Sequence, residues 1–189
     1  MKKRIKIQGL LILASIVALV FFWRHLVAQE RNLWLDISGA IIILLGYFLR
    51  ISARGTKSEL NPDGKTLVVS GPYVLTRNPM YLGTFLIGLG IILEILQWWV
   101  GIIFLFIYLL IYVPQINLEE QTLRGRFQEA FMKYCSTTPK FFPSPRTLFF
   151  TSPAGYLRFN PGWLKKESAS LVLTFVFVLG IKLIINFTR

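Results

Sequence analysis

The sequence predicts an all-α, polytopic integral membrane protein with about five transmembrane helices. Three observations carry that prediction: 54% apolar residues, a net charge of +12 from 21 Lys+Arg against 9 Asp+Glu, and several apolar runs of bilayer-spanning length. A soluble nucleic-acid-binding domain would carry such a charge on a polar surface, without this much apolar content. In lipid the two figures agree, provided the charge sits in the loops. The single Cys135 excludes an intramolecular disulfide and any multi-Cys metal site, and the single His25 excludes His clusters for zinc or di-iron. No metal site is expected. The 14 Gly and 9 Pro follow no period, which excludes the low-complexity classes.

A hydrocarbon core of about 30 Å needs about 20 apolar residues of helix. Residues 9–28, 33–51 and 170–187 meet that requirement. Residues 81–116 are too long for one span. They divide at 94–99, where Glu94 and the pair Trp98 and Trp99 mark an interface, and this predicts a tight helical hairpin. The first span follows Lys2, Lys3, Arg4 and Lys6, as a secretory signal would. Leu26, three before the candidate cleavage residue Ala28, is not small, and Arg24 interrupts the end, so a retained anchor is expected.

Orientation follows from the basic residues. With the N-terminus inside, the inner segments hold sixteen: Lys2, Lys3, Arg4, Lys6, Arg54, Lys57, Lys65, Arg77 and eight more between Arg124 and Lys166. The outer segments hold only Arg24, Arg31 and Arg189, with Arg50 at the inner edge of the second span and Lys182 within the fifth. The inner side is therefore read as cytoplasmic.

Three regions are expected: a transmembrane pair at 1–51, a core at 52–143, and an interfacial segment with a last span at 144–189. The core opens with an Asn61-Pro62-Asp63-Gly64 turn and a short β-like run, Leu67-Val68-Val69. After the hairpin, Leu123, Phe127, Phe131 and Tyr134 recur at helical spacing on one face, which predicts an amphipathic helix on or just under the bilayer surface. A Pro- and aromatic-rich tract, including Phe141, Phe142, Tyr156 and Trp163, leads to the last span.

Polar residues held at membrane boundaries cost free energy, so they are informative. One cluster runs from Gly71-Pro72-Tyr73 through Arg77-Asn78-Pro79-Met80-Tyr81-Leu82-Gly83; the other is Leu118-Glu119-Glu120. A hairpin brings both to the same membrane face. An Arg, an Asn, two Tyr and two Glu would then surround a site that suits an acceptor with a polar head and a tail left in the bilayer.

In this order and spacing, over roughly residues 67–143, these motifs resemble the core of the integral-membrane isoprenylcysteine carboxyl methyltransferases and the related phospholipid N-methyltransferases. The resemblance implies S-adenosylmethionine as cofactor, held by Tyr73, Arg77, Pro79, Tyr81, the small residues Gly83, Gly88 and Gly90, and Leu118, Glu119 and Glu120. It implies Arg77, Asn78, Tyr81 and Glu119 as catalytic residues. Where the carboxyl methyltransferases typically have His after the motif Arg, this sequence has Asn78, which is closer to the phospholipid version.

The chemistry agrees with the resemblance. Methyl transfer from a sulfonium needs positioning and a dry site more than acid–base groups. Carboxylates bind ribose hydroxyls and an amino group, aromatic faces tolerate a sulfonium, and Arg77 suits either the cofactor carboxylate or an acidic acceptor. Each residue also has a plainer explanation. Glu120 lies three after Asn117 and four before Arg124, which are capping and ion-pair spacings. Gly83, Gly88 and Gly90 suit helix contacts, Arg77 suits a snorkelling flank, and Tyr73 and Tyr81 suit an interfacial belt. His25, Asp36 and Glu94 are expected near water at the outer ends of their spans, Lys182 is expected to snorkel outward, and Cys135 suits either palmitoylation or a place in the core.

The function expected is S-adenosylmethionine-dependent methyl transfer to a carboxylate oxygen or amine nitrogen of a lipophilic or lipid-anchored acceptor, at the cytoplasmic face. Membrane lipids are the expected partners, and nucleic acid is not. The alternatives are an NADPH-dependent membrane reductase of the sterol-reductase type and a non-enzymatic membrane scaffold.

Overall fold

A computed structural model describes residues 32–145, 147, 156 and 159–187. The expected first span, its basic flank and His25 lie outside these residues. Four helices form the described part: α1 (Leu33–Leu60), α2 (Pro79–Ile95), α3 (Trp98–Thr137) and α4 (Ser168–Phe187), with 3-10 turns at Gly71–Val74 and Pro161–Lys166. Among the described residues α1 and α3 are long and apolar enough to cross a bilayer, while α2 and the Ser168–Ile184 stretch of α4 are shorter apolar helices.

α1 starts where the Asn32 side chain accepts the Trp34 N–H at 2.9 Å, a standard N-cap, with Asp36 in the first turn favoured by the helix dipole. The helix does not stop at the membrane edge near Ile51, as the hydropathy predicts. It continues for two and a half more turns because residues 52–60 contain no proline and pack their inner face. Ser52, Ala53, Gly55 and Thr56 are all buried. It ends at Asn61-Pro62, where the Asn61 N–H returns to the Lys57 carbonyl and Gly64 takes the left-handed conformation of the expected turn (φ 71°). The predicted β-like run 67–69 pairs with no strand. It is a coil whose Val68 is buried against Ala53, Tyr73 and Phe131.

α1 and α2 run antiparallel at backbone contact. A Cβ on Gly46 would lie 2.7 Å from the Gly83 carbonyl oxygen, and one on Gly39 would lie 2.8 Å from that of Gly90. The two pairs lie seven residues apart on each helix, so one stripe of glycines faces another and no side chain separates the axes. The expected hairpin break falls at Leu96, which is extended, and α3 begins at Trp98. Phe104 of α3 lies over Gly88 of α2.

α3 is two helical segments that meet at a kink at Gln128, whose φ of 42° and ψ of −114° are not helical; the segment before the kink, at about 45 Å, is longer than a bilayer core. The fourth expected span therefore runs on past residue 116 to the kink, and the predicted amphipathic stretch starts in its last turns and continues beyond it. The apolar face lies as predicted but does not float on lipid. Phe131 and Tyr134 are buried against Ala53, Val68 and Tyr73, with Leu123, Phe127 and Cys135 packed around them. A protein surface covers that face because α1 overshoots the span and reaches it.

α4 lies against α1 and α2. Ile95, Val178 and Ile181 form one apolar cluster, and Tyr47, Ile51 and Trp163 form another. Lys182 does not snorkel outward. Its ammonium contacts the carboxylate of Glu94 and lies 3.6 Å from that of Asp36. Glu94, expected near water, is only 5% exposed. An unpaired charge at that depth costs more than the side-chain entropy of making the pair.

Candidate active site

The cleft forms where the polar ends of α1, α2 and α3 converge. Gly71-Pro72-Tyr73 makes a 3-10 turn, permitted by the left-handed Gly71 (φ 63°). The chain then crosses the segment after α3. The Arg77 N–H donates to the Pro139 carbonyl at 2.9 Å, and the Thr76 hydroxyl donates to the Lys140 carbonyl at 3.0 Å. Pro79 starts α2 at the position where its missing N–H costs nothing.

Arg77 is enclosed by acceptors. Its Nε donates to Glu120 Oε1 at 3.0 Å, and its Nη1 donates to the carbonyls of Cys135 and Thr138 at 3.1 and 3.2 Å. The Asn78 amide, 8% exposed, donates to Glu120 Oε1 at 3.3 Å and to the Lys140 carbonyl at 2.9 Å. The Lys140 ammonium lies 3.3 Å from Glu120 Oε2 and donates to Asn117 Oδ1. Glu120 therefore faces two cations, and both differ from the Arg124 that helical spacing suggests. Helical spacing identifies neighbours on one helix, whereas both partners of Glu120 come from other segments.

Glu119 sits differently. Its Oε1 accepts the Tyr81 hydroxyl at 2.5 Å and the Gln115 amide at 2.8 Å, and no cation forms an ion pair with it among the described residues. Gln115 precedes it by one helical turn, a spacing visible in the sequence. Tyr108 fixes the start of α2 by donating to the Tyr81 carbonyl at 2.7 Å, and Tyr112 meets Tyr81 edge-on and Tyr108 face-on. Phe141 and Phe142 close on Phe85 from the far side.

Tyr73, Arg77, Tyr81, Glu119 and Glu120 line a cleft of roughly 660 Å³, its open mouth included. Of the predicted site residues, Tyr73, Arg77, Asn78, Pro79, Tyr81, Glu119 and Glu120 line it. Gly83, Gly88 and Gly90 do not; they serve the helix contacts described above. Leu118 faces outward and is 60% exposed. The cleft also has a wall that sequence reasoning did not find, made by Lys57 of α1, Asn61 that caps it, residues 66–68, and Leu123, Phe131 and Tyr134. The extension of α1 beyond its apolar run supplies Lys57 and Asn61, and hydropathy carries no signal for such an extension.

Burial raises the pKa of the Tyr73 phenol, and the nearby Glu119 charge raises it further. Burial also raises that of Tyr134, whose hydroxyl donates to the Tyr73 carbonyl at 2.6 Å. Both stay neutral donors across the physiological range. Among the described residues no three His, Cys, Asp or Glu side chains are grouped to hold a metal ion.

Residues 34–130 match the phospholipid methyltransferase family, a stretch that contains every cleft residue except Phe131 and Tyr134. The chain is 27% identical over 185 residues to the nickel-cobalt-cadmium resistance protein NccN of Alcaligenes xylosoxydans xylosoxydans, covering 93% of this chain and 78% of that protein. It is 40% identical over 80 residues to the cobalt-zinc-cadmium resistance protein CzcN of Cupriavidus metallidurans, covering 41% and 36% of the two chains. It is 27% identical over 130 residues to the protein-S-isoprenylcysteine O-methyltransferase of Mus musculus, covering 65% of this chain but only 45% of that enzyme. No solved structure matches the chain.

Proposed function

Because the chain belongs to the phospholipid methyltransferase family, we propose that it is an S-adenosylmethionine-dependent methyltransferase of the membrane, acting on a carboxylate oxygen or amine nitrogen of a lipophilic acceptor. One observation carries the cofactor assignment: Glu119 is a carboxylate in an open cleft that, among the described residues, accepts from two neutral donors and pairs with no cation. Such a group suits the ammonium or ribose hydroxyls of the cofactor. Tyr73 and Tyr81 beside it offer aromatic faces to a sulfonium.

When bound, S-adenosylmethionine supplies a methyl group whose bond to sulfur breaks as a bond to the acceptor forms. The protein's work is to bind, orient and exclude water. Glu119 and Tyr81 hold the ligand side of the cleft. Arg77 and Asn78 act one step back, since the Arg77 Nε and Nη1 and the Asn78 amide donate to Glu120 and to the carbonyls of Cys135, Thr138 and Lys140. They tie the start of α2 to the end of α3 and so set the spacing of the walls. The proposed topology has five spans with the cleft at the cytoplasmic face, where sixteen of the basic residues gather.

Calorimetric titration of S-adenosylmethionine into the purified protein tests this reading. Binding is expected, and Glu119→Gln is expected to weaken it about tenfold or more, as the loss of a charged hydrogen-bond partner does. Absence of heat in folded wild-type protein, or selective binding of NADPH, overturns it.

A further inference from the structure

The last part of α3, residues 129–137, is a short helix between two joints. At its start Gln128 has φ 42° and ψ −114°, and at its end the cap residue Thr138 is extended (φ −121°, ψ 128°). Among the described residues Gln128 alone, glycines apart, has a positive φ, a region where the Cβ crowds its own backbone. Its side chain is exposed, so what maintains the bend lies on either side of it. Before the joint, Arg126 donates to the Gly64 carbonyl at 2.6 Å and fixes that segment to the turn after α1. Beyond the joint, Phe131 and Tyr134 pack against Val68 and Tyr73. The Tyr134 hydroxyl donates to the Tyr73 carbonyl at 2.6 Å, and the Arg77 Nη1 to the Cys135 carbonyl at 3.1 Å. Glu129, Met132, Lys133 and Ser136, on the opposite face, are exposed.

We infer that residues 129–137 form a hinged flap on the cleft, which turns about Gln128 and Thr138 to admit and release the cleft's ligand. The inference goes beyond the methyltransferase reading and holds for any ligand of that cleft. Strain at Gln128 counts against the closed arrangement and is released on opening, whereas the contacts of Phe131, Tyr134 and Cys135 hold the flap shut. Phe131 and Tyr134 line the cleft from the flap, and Glu119, Glu120 and Leu123 line it from the segment before the joint. A turn at Gln128 therefore changes the width of the cleft and leaves its carboxylates in place. Residues 76–78 are bonded to the carbonyls of Thr138, Pro139 and Lys140, at and beyond the second joint, so opening also keeps that attachment.

The test is amide hydrogen exchange of the whole protein in detergent micelles, with S-adenosylmethionine as the probe ligand. Amides of residues 129–137 are expected to exchange together, and faster than those of the glycine contact between α1 and α2. Gln128→Gly removes the Cβ and with it the strain, which favours the closed flap, and is expected to slow that exchange about tenfold. Gln128→Ala keeps the Cβ and is expected to stay within about twofold of the wild type. Release of bound S-adenosylmethionine should slow in Gln128→Gly by the same factor as the exchange, since the ligand leaves through the open state. The replaced side chain is exposed, so neither substitution threatens the fold. Exchange of residues 129–137 no faster than that of the α1–α2 contact overturns the inference, because the segment then opens only with the whole protein. So does equal exchange in the Gly and Ala variants, or release that keeps its wild-type rate while exchange slows. If S-adenosylmethionine fails to bind but Gln128→Gly still slows the exchange, the methyltransferase reading fails and the flap stands.

Discussion

Two carboxylates, one paired with α1 and one in the cleft, show how this protein divides its charge. Glu167, 2% exposed, accepts from Arg50 at 3.2 Å through both oxygens and from Arg54 at 2.9 Å, and Arg50 also donates to the Thr84 hydroxyl at 2.6 Å. Glu119 lies in an open cleft and accepts only from a phenol and an amide. The first carboxylate is neutralised and sealed, so it holds α4 to α1 and α2. The second pairs with no cation among the described residues and stays open to the cleft, as a ligand-binding group must. The sequence shows glutamate near basic residues in both places; the difference lies in what surrounds it.

The comparison breaks most readily at Glu167. Glu167→Ala leaves two guanidiniums facing each other around a buried site, and a loss of about 3–5 kcal/mol is expected, read as a fall in thermal or denaturant stability. Cofactor affinity of the remaining folded protein should hold. If stability is unchanged, Glu167 is not the fastener described.

Gly55 tests the same attachment from its apolar side. A Cβ there would lie 1.9 Å from the Trp163 ring, whose Nε1 donates to Glu59 at 2.9 Å. Gly55→Ala should displace the indole at a cost of about 1–3 kcal/mol. The check is a red shift in tryptophan emission that Trp163→Phe removes.

Glu119→Gln sharpens the contrast from the other side. Stability should change by less than about 0.5 kcal/mol, since amide and carboxylate both accept from Tyr81, while cofactor affinity falls. Glu120→Gln should do the reverse. It leaves Arg77 short of its counter-charge and lowers stability by about 1–3 kcal/mol. Equal effects from the two substitutions would remove the distinction between them.

The smallest effect is alkaline. Tyr73 and Tyr134 have pKa values raised by burial above the unfolded value near 10, so their neutral forms favour the fold. That contribution is complete below about pH 10 and is lost as pH rises past it. Tyr134→Phe should flatten the decline and lower stability at neutral pH by about 1–2 kcal/mol, because the Tyr73 carbonyl loses its donor. A denaturation series from pH 7 to 11 reads both, with a slope of at most about one proton per group.

Much of the site was legible because its residues lie in two short runs, 71–83 and 118–120, that a hairpin must bring together. Glu119 and Tyr81 do meet, and the amphipathic face 123–134 forms where its period places it. The glycines were legible as small residues but not as a kind of contact. Gly83 and Gly90 acquire their meaning from Gly46 and Gly39 on another helix. Lys57 and Asn61 were not legible as cleft residues, since nothing local says that α1 outruns its apolar segment.

The sequence by itself determined the helical, membrane-embedded class, the hairpin break near residue 96 and the family, because hydropathy, period and motif spacing are local properties. Only the tertiary structure decided the partners: Lys140 and Arg77 for Glu120, Arg50 and Arg54 for Glu167, Glu94 for Lys182. Each joins residues far apart in the chain or on different helices. Which charge is compensated depends on distances in space, and those distances separate a buried, doubly paired carboxylate from one left open in the cleft.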